Sequence, residues 1–313
     1  TPHGPIPTPA FLPVGTLGAV RAATPGDLEA WGAPAFMTNA YHLAMRPGAA
    51  TVAALGGLHA LAGWQGPLMT DSGGYQVFSL AAGRTVGPDG VRVRSHVDGS
   101  VHHFTPESVM EAHRLLGGDL IMPLDVCTGP QASLEDAARD CDTTLSWARR
   151  SLAAQRRSDQ LLYGIVQGAA DPSLRRDSAR AIAALGFEAF AIGGVSVGEG
   201  KTKMRAAIEA TVPHLPVQAP RHLLGVGEVD DLIHGISRGI DTFDCVVPTR
   251  WARHGAAVTP SGRMNVRNAV HAADPRPLVA GCACPTCTRF GRGAIRHYFL
   301  AGEIVALQLL TAH

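Results

Sequence analysis

The chain has 313 residues, 46% of them hydrophobic and 17% charged, which describes a globular chain with ample core. No apolar run approaches membrane-spanning length, no basic and apolar leader opens the sequence, and six scattered and clustered cysteines do not read as a secreted disulfide framework. A cytoplasmic protein with no membrane contact is therefore expected, and its net charge of +1 hides a basic end: Arg250–His313 carries eight Arg, no Lys and two acids (+6), against 19 basic and 24 acidic residues elsewhere (−5).

Short apolar runs recur along the chain, each leading into a turn and a helix-like segment. The first, Ala10–Gly15 (AFLPVG), precedes TPGDLEAWG, where Thr24 is placed to cap a helix with Pro25 at its first position and Asp27 in its first turn. Ala35–Ala40 (AFMTNA) and Pro67–Ser72 (PLMTDS) follow. GVRVRSHVDGSVHHFT then reads as a hairpin insert near residues 91–105, with Asp98 and Gly99 at its turn. Thr105 and Pro106 repeat the capping device. Asp119–Val126 (DLIMPLDV) leads to a long helix from Ser133, whose buried stripe is predicted to be Ala137, Cys141, Leu145, Ala148 and Leu152. Cys141 thereby reads as a small core residue. Leu161–Gly168, Ala189–Gly194, His222–Gly227 and Asp241–Val247 complete a series of eight.

Runs that are apolar on both faces and alternate with helices are expected of a buried parallel sheet. Eight such units in roughly 250 residues have the rhythm of a (β/α)8 barrel. An open doubly wound sheet is the runner-up, but no G-x-G-x-x-G follows the first strand. The predicted organisation is α/β: a (β/α)8 TIM barrel over 1–249 and a small basic, cysteine-bearing subdomain over 250–313. The basic end suggests a polyanion partner, or arginines that only solvate helix faces.

Functional residues of such barrels sit at the C-terminal ends of the strands. Those positions hold Asn39, Asp71, Asp125, Gln167, Gly193 with Gly194, Gly225 and Asp244. One aspartate after a strand is usually a cap or turn former; three carboxylates and an amide closing one ring point to a site. The glycines of AIGGVSVGEG and LLGVGE leave backbone amides and carbonyls accessible. With Asp125 and Gln167 these could read the edge of a planar heterocycle, sandwiched by Tyr75 and Leu224. Tyr75 could equally pack in the core. Near the end, GCACPTC spaces Cys282, Cys284 and Cys287 as C-x-C-x-x-C, which suits tetrahedral zinc but needs a fourth donor.

The segments TPAFLPVGT, TNAYHL, RPG, TDSGGYQVFSL, GIVQG, AIGGVSVGE, GVG, GIDTFDCVVPTR and LQLLTAH occur in collinear order with that cysteine cluster. With them the chain closely resembles the bacterial-type tRNA-guanine transglycosylases, the queuine tRNA-ribosyltransferase family, from Thr1 to His313. The resemblance implies exchange of the wobble guanine of anticodons, in a U-G-U context, for 7-aminomethyl-7-deazaguanine (preQ1) in queuosine biosynthesis. Asp244 matches the nucleophile that forms a covalent aspartyl-ribosyl RNA intermediate, and Asp71 matches the general acid/base. Asp125, Gln167, Gly194 and the carbonyl of Val195 match the base contacts. Tyr75 and Leu224 match the sandwiching pair, Leu224 standing where the family commonly has Met. Val197 and Cys127 match the bacterial preQ1 pocket, with a buried small residue as the plain reading of Cys127.

Arg250 and Arg253 match contacts to the anticodon loop, and Arg289, Arg292 and Arg296 are placed to meet phosphates. Trp251 and His254 depart from the commoner pattern and receive no role. His313 matches the fourth ligand of a structural Zn2+, one per subunit, in a closed Cys3His shell. A homodimer is implied by resemblance alone, and both ends look trimmed against the family. Two rivals are a non-catalytic RNA-binding paralogue, which the presence of Asp71 and Asp244 opposes, and a metal-dependent barrel hydrolase. The latter needs histidine ligands that these strand ends do not offer.

Overall fold

Eight parallel strands build the larger part of the chain: β1 (Ala10–Pro13), β2 (Phe36–Asn39), β3 (Leu68–Asp71), β4 (Leu120–Ile121), β5 (Leu161–Val166), β6 (Ala189–Ile192), β7 (Arg221–Leu223) and β8 (Thr242–Cys245). They come from a computed structural model that describes residues 1–80, 83–95 and 97–313. Their order is β1-β8-β7-β6-β5-β4-β3-β2, and a parallel bridge between Val14 and Met37 draws the two end strands together. The Gly15 amide donates to the Met37 carbonyl at 2.7 Å across that seam. The result is the expected eight-stranded, nearly closed parallel barrel. Each of the eight apolar runs read from the sequence contributes one strand.

Side-chain alternation sorts the strands into an inner and an outer face. Leu12, Met37, Met69, Leu120, Tyr163, Ile165, Ala189 and Ala191 fill one buried cluster inside the barrel. Their neighbours Ile121, Leu162, Phe190, Leu223 and Phe243 pack outward beneath the helices. This alternation decides where polar side chains go. Asn39, Asp71 and Gln167 each stand two residues after an inward apolar residue (Met37, Met69 and Ile165), so all three inherit the inner face at the C-terminal rim.

The predicted caps form. Thr24 and Asp27 make a reciprocal capping box on helix Pro25–Ala30, and Thr105 and Ser108 do so on Pro106–Leu116. Ser133 caps the helix Leu134–Ala154, whose buried face differs from the predicted stripe. Ala137 and Ala148 are buried as expected, but Cys141, Leu145 and Leu152 are only partly so, while Thr144, Trp147 and Ser151 are fully enclosed. The cause is a second neighbour: Trp147 packs with Val91, Val93 and Phe104 of the insert and donates its indole N–H to the Pro88 carbonyl at 2.9 Å. The insert itself is a three-stranded antiparallel sheet, Thr85–Gly87, Gly90–Arg94 and Val101–Phe104. The predicted hairpin is its second and third strands; His96 of that segment lies outside the described residues.

The chain divides into two compact units, Thr1–Gly18 with Pro34–Cys245, and Ala19–Ala33 with Val246–His313. The second has its own core of Ala252, Ala257, Val266, Leu278, Cys287, Ile295 and Leu310. Among the described residues no helix is long and apolar enough to cross a membrane.

Candidate active site

Polar side chains close a ring at the C-terminal rim of the barrel. Asp71 ends β3, where Asn39 at the end of β2 donates Nδ2–H to its Oδ2 at 2.7 Å and to Gln76 Oε1 at 2.9 Å. Register explains the pairing, because Asn39 and Asp71 are directly opposed on neighbouring strands. Burial, then repulsion from Asp125 and Asp244, raises Asp71 to about 7, against backbone hydrogen bonds from Gly73 and Ser72. A carboxyl tuned to neutrality can both donate and accept a proton at physiological pH.

Asp125 lies past β4 and is raised to about 6 by burial, partly offset by a hydrogen bond from Gln167. That contact, Gln167 Nε2–H to Asp125 Oδ2, measures 2.6 Å. Gln167 Oε1 is buried and has no partner among the described residues. A buried unmatched acceptor is costly unless a ligand meets it. The glycines around this pair are obligatory for space. A Cβ on Gly74 would sit 2.0 Å from Asp125 Oδ1, and one on Gly194 2.1 Å from Gln167 Oε1. Tyr75 is 46% exposed and therefore free of the core, while Leu224 is half-buried and rests on the barrel interior. Val195, directly after Gly194, is buried, and Val197, two residues on, is half-buried. Cys127 is buried, and desolvation pushes its thiol up to about 12, so it lines the wall as a neutral group.

Asp244, on the inner face of β8, is 9% exposed. Its Oδ1 accepts the Gly225 amide at 3.0 Å and contacts His222 Nε2 at 3.1 Å. Three carboxylates thus meet at one rim, Asp71 and Asp244 from strands and Asp125 from the loop past β4, near enough that two of them raise the third.

In the second unit, the donors of Cys282, Cys284, Cys287 and His313 all lie within 4.8 Å of one another. His313 Nδ1 stands 3.9, 3.4 and 3.3 Å from the three sulfurs in turn. The edge between sulfur and nitrogen in a tetrahedral zinc site is about 3.5 Å, from bond lengths near 2.3 and 2.0 Å. His313 Nε2 lies 3.0 Å from the Val258 carbonyl, to which its N–H donates, leaving the Nδ1 lone pair for a metal. The cluster can hold a metal ion in a closed shell.

Comparison with known proteins agrees. The family model for queuine tRNA-ribosyltransferase matches residues 1–313. The queuine tRNA-ribosyltransferase of Moorella thermoacetica is 48% identical over 313 residues, covering 100% of this chain and 84% of that protein. Those of Cereibacter sphaeroides and Dictyoglomus turgidum are each 47% identical over 314 residues, covering 100% and 99% of this chain and 84% and 81% of the relatives. The chain belongs to the queuine tRNA-ribosyltransferase family.

In this family member the candidate RNA-facing arginines divide by environment. Arg250 and Arg289 are exposed. Arg253 is half-buried; burial and the nearby charges of Arg21 and Arg250 lower its pKa, the electrostatics of a site short of an anion. Arg292 instead spends its guanidinium on the carbonyls of Pro277 and Leu278 and on Asp274, at 2.9, 3.0 and 3.2 Å, as an internal brace. Arg296 bonds the carbonyls of Arg267 and Asn268. Trp251 carries the Arg263 guanidinium over its ring at 5.3 Å.

Three residues of the ring region escaped the sequence reading. Arg175, fully buried, donates to the carbonyls of Val166, Ala169, Gly193 and Gly194 at 3.2, 2.7, 2.7 and 3.0 Å. It pins the backbone on both sides of Gln167, and burial lowers its pKa to about 10. Glu199 accepts the amides of Ser196 and Val197 at 2.5 and 2.8 Å, fixing the turn beyond Val195. His222 touches Asp244. Its one signal was a polar residue at the head of the otherwise apolar run HLLGVG.

Proposed function

We propose that this chain is a tRNA-guanine transglycosylase that exchanges the wobble guanine of a U-G-U anticodon for preQ1. The observation that carries the reading is the convergence of Asp71, Asp125 and Asp244 at one barrel rim, with Asp71 poised at about 7. Asp244 Oδ2 attacks ribose C1′, the C1′–N9 bond breaks, and guanine leaves as Asp71 delivers a proton to it. The product is a covalent ester between Asp244 and the RNA. In the second displacement Asp71, now ionised, takes the proton from N9 of preQ1. That nitrogen attacks C1′, and the ester bond breaks to restore the Asp244 carboxylate. The two inversions give net retention, as in retaining glycosidases. Water must be excluded, or the ester hydrolyses to abasic RNA.

Asp125, Gln167, the Gly194 backbone and the Val195 carbonyl hold the base edge, and the unmatched Gln167 oxygen supports this assignment. Tyr75 and Leu224 cover its faces, and Cys127 and Val197 shape the preQ1 pocket. Arg250, Arg253 and Arg289 contact the anticodon loop; the internal bonds of Arg292 support a bracing role for it instead. We further propose a catalytic barrel over 1–249 and a basic zinc-binding subdomain over 250–313, a homodimer, and a cytoplasmic location. Labelled guanine exchanged into tRNA, and its displacement by preQ1 in preference to queuine, tests the reading; absence of exchange in the wild type refutes it.

Two further outcomes are expected. Gly74→Ala forces the Asp125 carboxylate to move, because the new Cβ would stand 2.0 Å from Oδ1. The KM for preQ1 rises at least ~10-fold, the scale of losing one charged hydrogen bond, while the KM for tRNA stays unchanged in steady-state assays. The metal is assigned as zinc, held by Cys282, Cys284, Cys287 and His313, where it supplies a fold-bracing tetrahedral centre and no vacancy for substrate. Cys284→Ser therefore loses zinc by elemental analysis and lowers the melting temperature. Briefly chelated, pre-folded wild type retains exchange; immediate loss in step with zinc removal would contradict a bracing role.

A further inference from the structure

One buried imidazole reaches the carboxylate of Asp244. His222 and Thr242 are registered partners on β7 and β8, so their side chains leave the same face of the sheet, and Asp244, two residues beyond Thr242, shares it. His222 is 0% exposed. Its Nδ1 lies 2.8 Å from Thr242 Oγ1 and its Nε2 3.1 Å from Asp244 Oδ1. The same Oδ1 accepts the Gly225 amide at 3.0 Å, whereas Oδ2 makes no hydrogen bond among the described residues.

The carboxylate end sets the direction of this chain of contacts. An ionised carboxylate only accepts, so the proton of the imidazole must be on Nε2. The Thr242 hydroxyl can donate as well as accept, so with the ring proton on Nε2 the Nδ1 lone pair accepts the hydroxyl proton. Hydroxyl, imidazole and carboxylate are also the groups of a hydrolase triad. Here the order of access is reversed: Thr242 is buried two residues deeper in the barrel, and the carboxylate stands at the rim.

We propose that His222 is a positioning residue for Asp244. With the Gly225 amide it immobilises Oδ1, so that Oδ2 is the oxygen presented to ribose C1′. It also shares the carboxylate charge that returns when the ester bond breaks in the second displacement. The proposal rests on the transglycosylase reading above.

Two substitutions separate the two ring nitrogens. The amide nitrogen of glutamine can take the place of Nε2, and that of asparagine the place of Nδ1. His222→Asn is expected to lower kcat for guanine exchange ~10²-fold, the cost of a nucleophile misplaced by about 1 Å, with the KM for base and tRNA unchanged. His222→Gln keeps the donor to Oδ1 and is expected to recover to within ~10-fold of the wild type, the scale of one modestly perturbed hydrogen bond. Melting temperature and tRNA affinity verify that both variants are folded. Independently of any variant's folding, nitrogen NMR of histidine-labelled wild type, with the His222 signals assigned, should show a proton on its Nε2 and a hydrogen bond accepted by its Nδ1. Equal kcat for the two variants, or an Nδ1–H tautomer, in a wild type that exchanges guanine overturns the proposal alone. A wild type that exchanges no guanine overturns the underlying reading and the proposal with it.

Discussion

Asp244→Ala is expected to abolish guanine exchange and, with it, any RNA adduct that survives denaturation. The expected loss is ~10⁴-fold or more, as for removal of a covalent nucleophile that acts in concert with its neighbours. No nearby group can take over. Cys245 follows it in sequence, but its Sγ donates to the Gly225 carbonyl at 3.3 Å and it is buried. Cys127 is held as a thiol by burial, with a pKa of about 12. Asp244→Asn keeps the shape of the side chain, including an oxygen for the His222 and Gly225 donors, and should be equally inactive. That equality separates loss of nucleophile from loss of packing. Affinity for tRNA should survive in both variants, because phosphate contacts supply most of it. Gel shift and adduct assays on the same preparations check the pair of outcomes.

Asp71→Asn is the second large effect, and its sign differs between activity and stability. Loss of a general acid/base is expected to slow exchange by ~10²- to 10⁴-fold, while adduct still accumulates slowly, since Asp244 is intact. In the wild type, kcat/KM for tRNA should fall as pH rises through about 7, where Asp71 loses the proton it must deliver to guanine. The asparagine variant should lack that limb. For stability, burial and repulsion raise the folded-state pKa of Asp71 from 3.8 to about 7. The folded protein then binds a proton that the unfolded chain has released, so stability falls as pH rises across that window. Asparagine cannot ionise and avoids this loss. The variant should therefore be more stable than the wild type above neutrality, by on the order of 1–3 kcal/mol after discounting for the partial exposure of the site. At pH 4 the difference should vanish. Urea titrations at pH 4 and pH 8 read both arms; a variant less stable at pH 8 would contradict the assigned strain.

The barrel was legible because its signals are local. Eight apolar runs bounded by turn residues each became a strand, and Asp71, Gln167 and Asp244 could be read as rim residues from their place after those runs. Alternation then put them on one face with no further information. What escaped was contact between elements distant in sequence. Arg175 is one of two adjacent arginines on a helix, and nothing in its neighbourhood marks it as the one that turns inward to four carbonyls. His222 acquires meaning only through its register with Thr242. The helix Leu134–Ala154 shows the same limit. Its 3.6-residue stripe anticipates one buried face, yet Trp147 is enclosed by an insert some fifty residues upstream, which rotates the face toward Thr144 and Ser151. The metal-ligand cluster falls between these cases. Three cysteines announce themselves by spacing, whereas the histidine that completes the set is 26 residues beyond the last of them, at His313.

The account turns on a covalent bond between RNA and one carboxylate. The most direct measurement is mass mapping of wild-type protein denatured during turnover with an anticodon stem-loop and digested to peptides. The predicted result is a ribosylated peptide whose modified residue is Asp244, formed in the absence of preQ1 and discharged when preQ1 is added. A modification mapped to Asp71 or to any other residue, or rapid guanine exchange with no adduct at all, would contradict it.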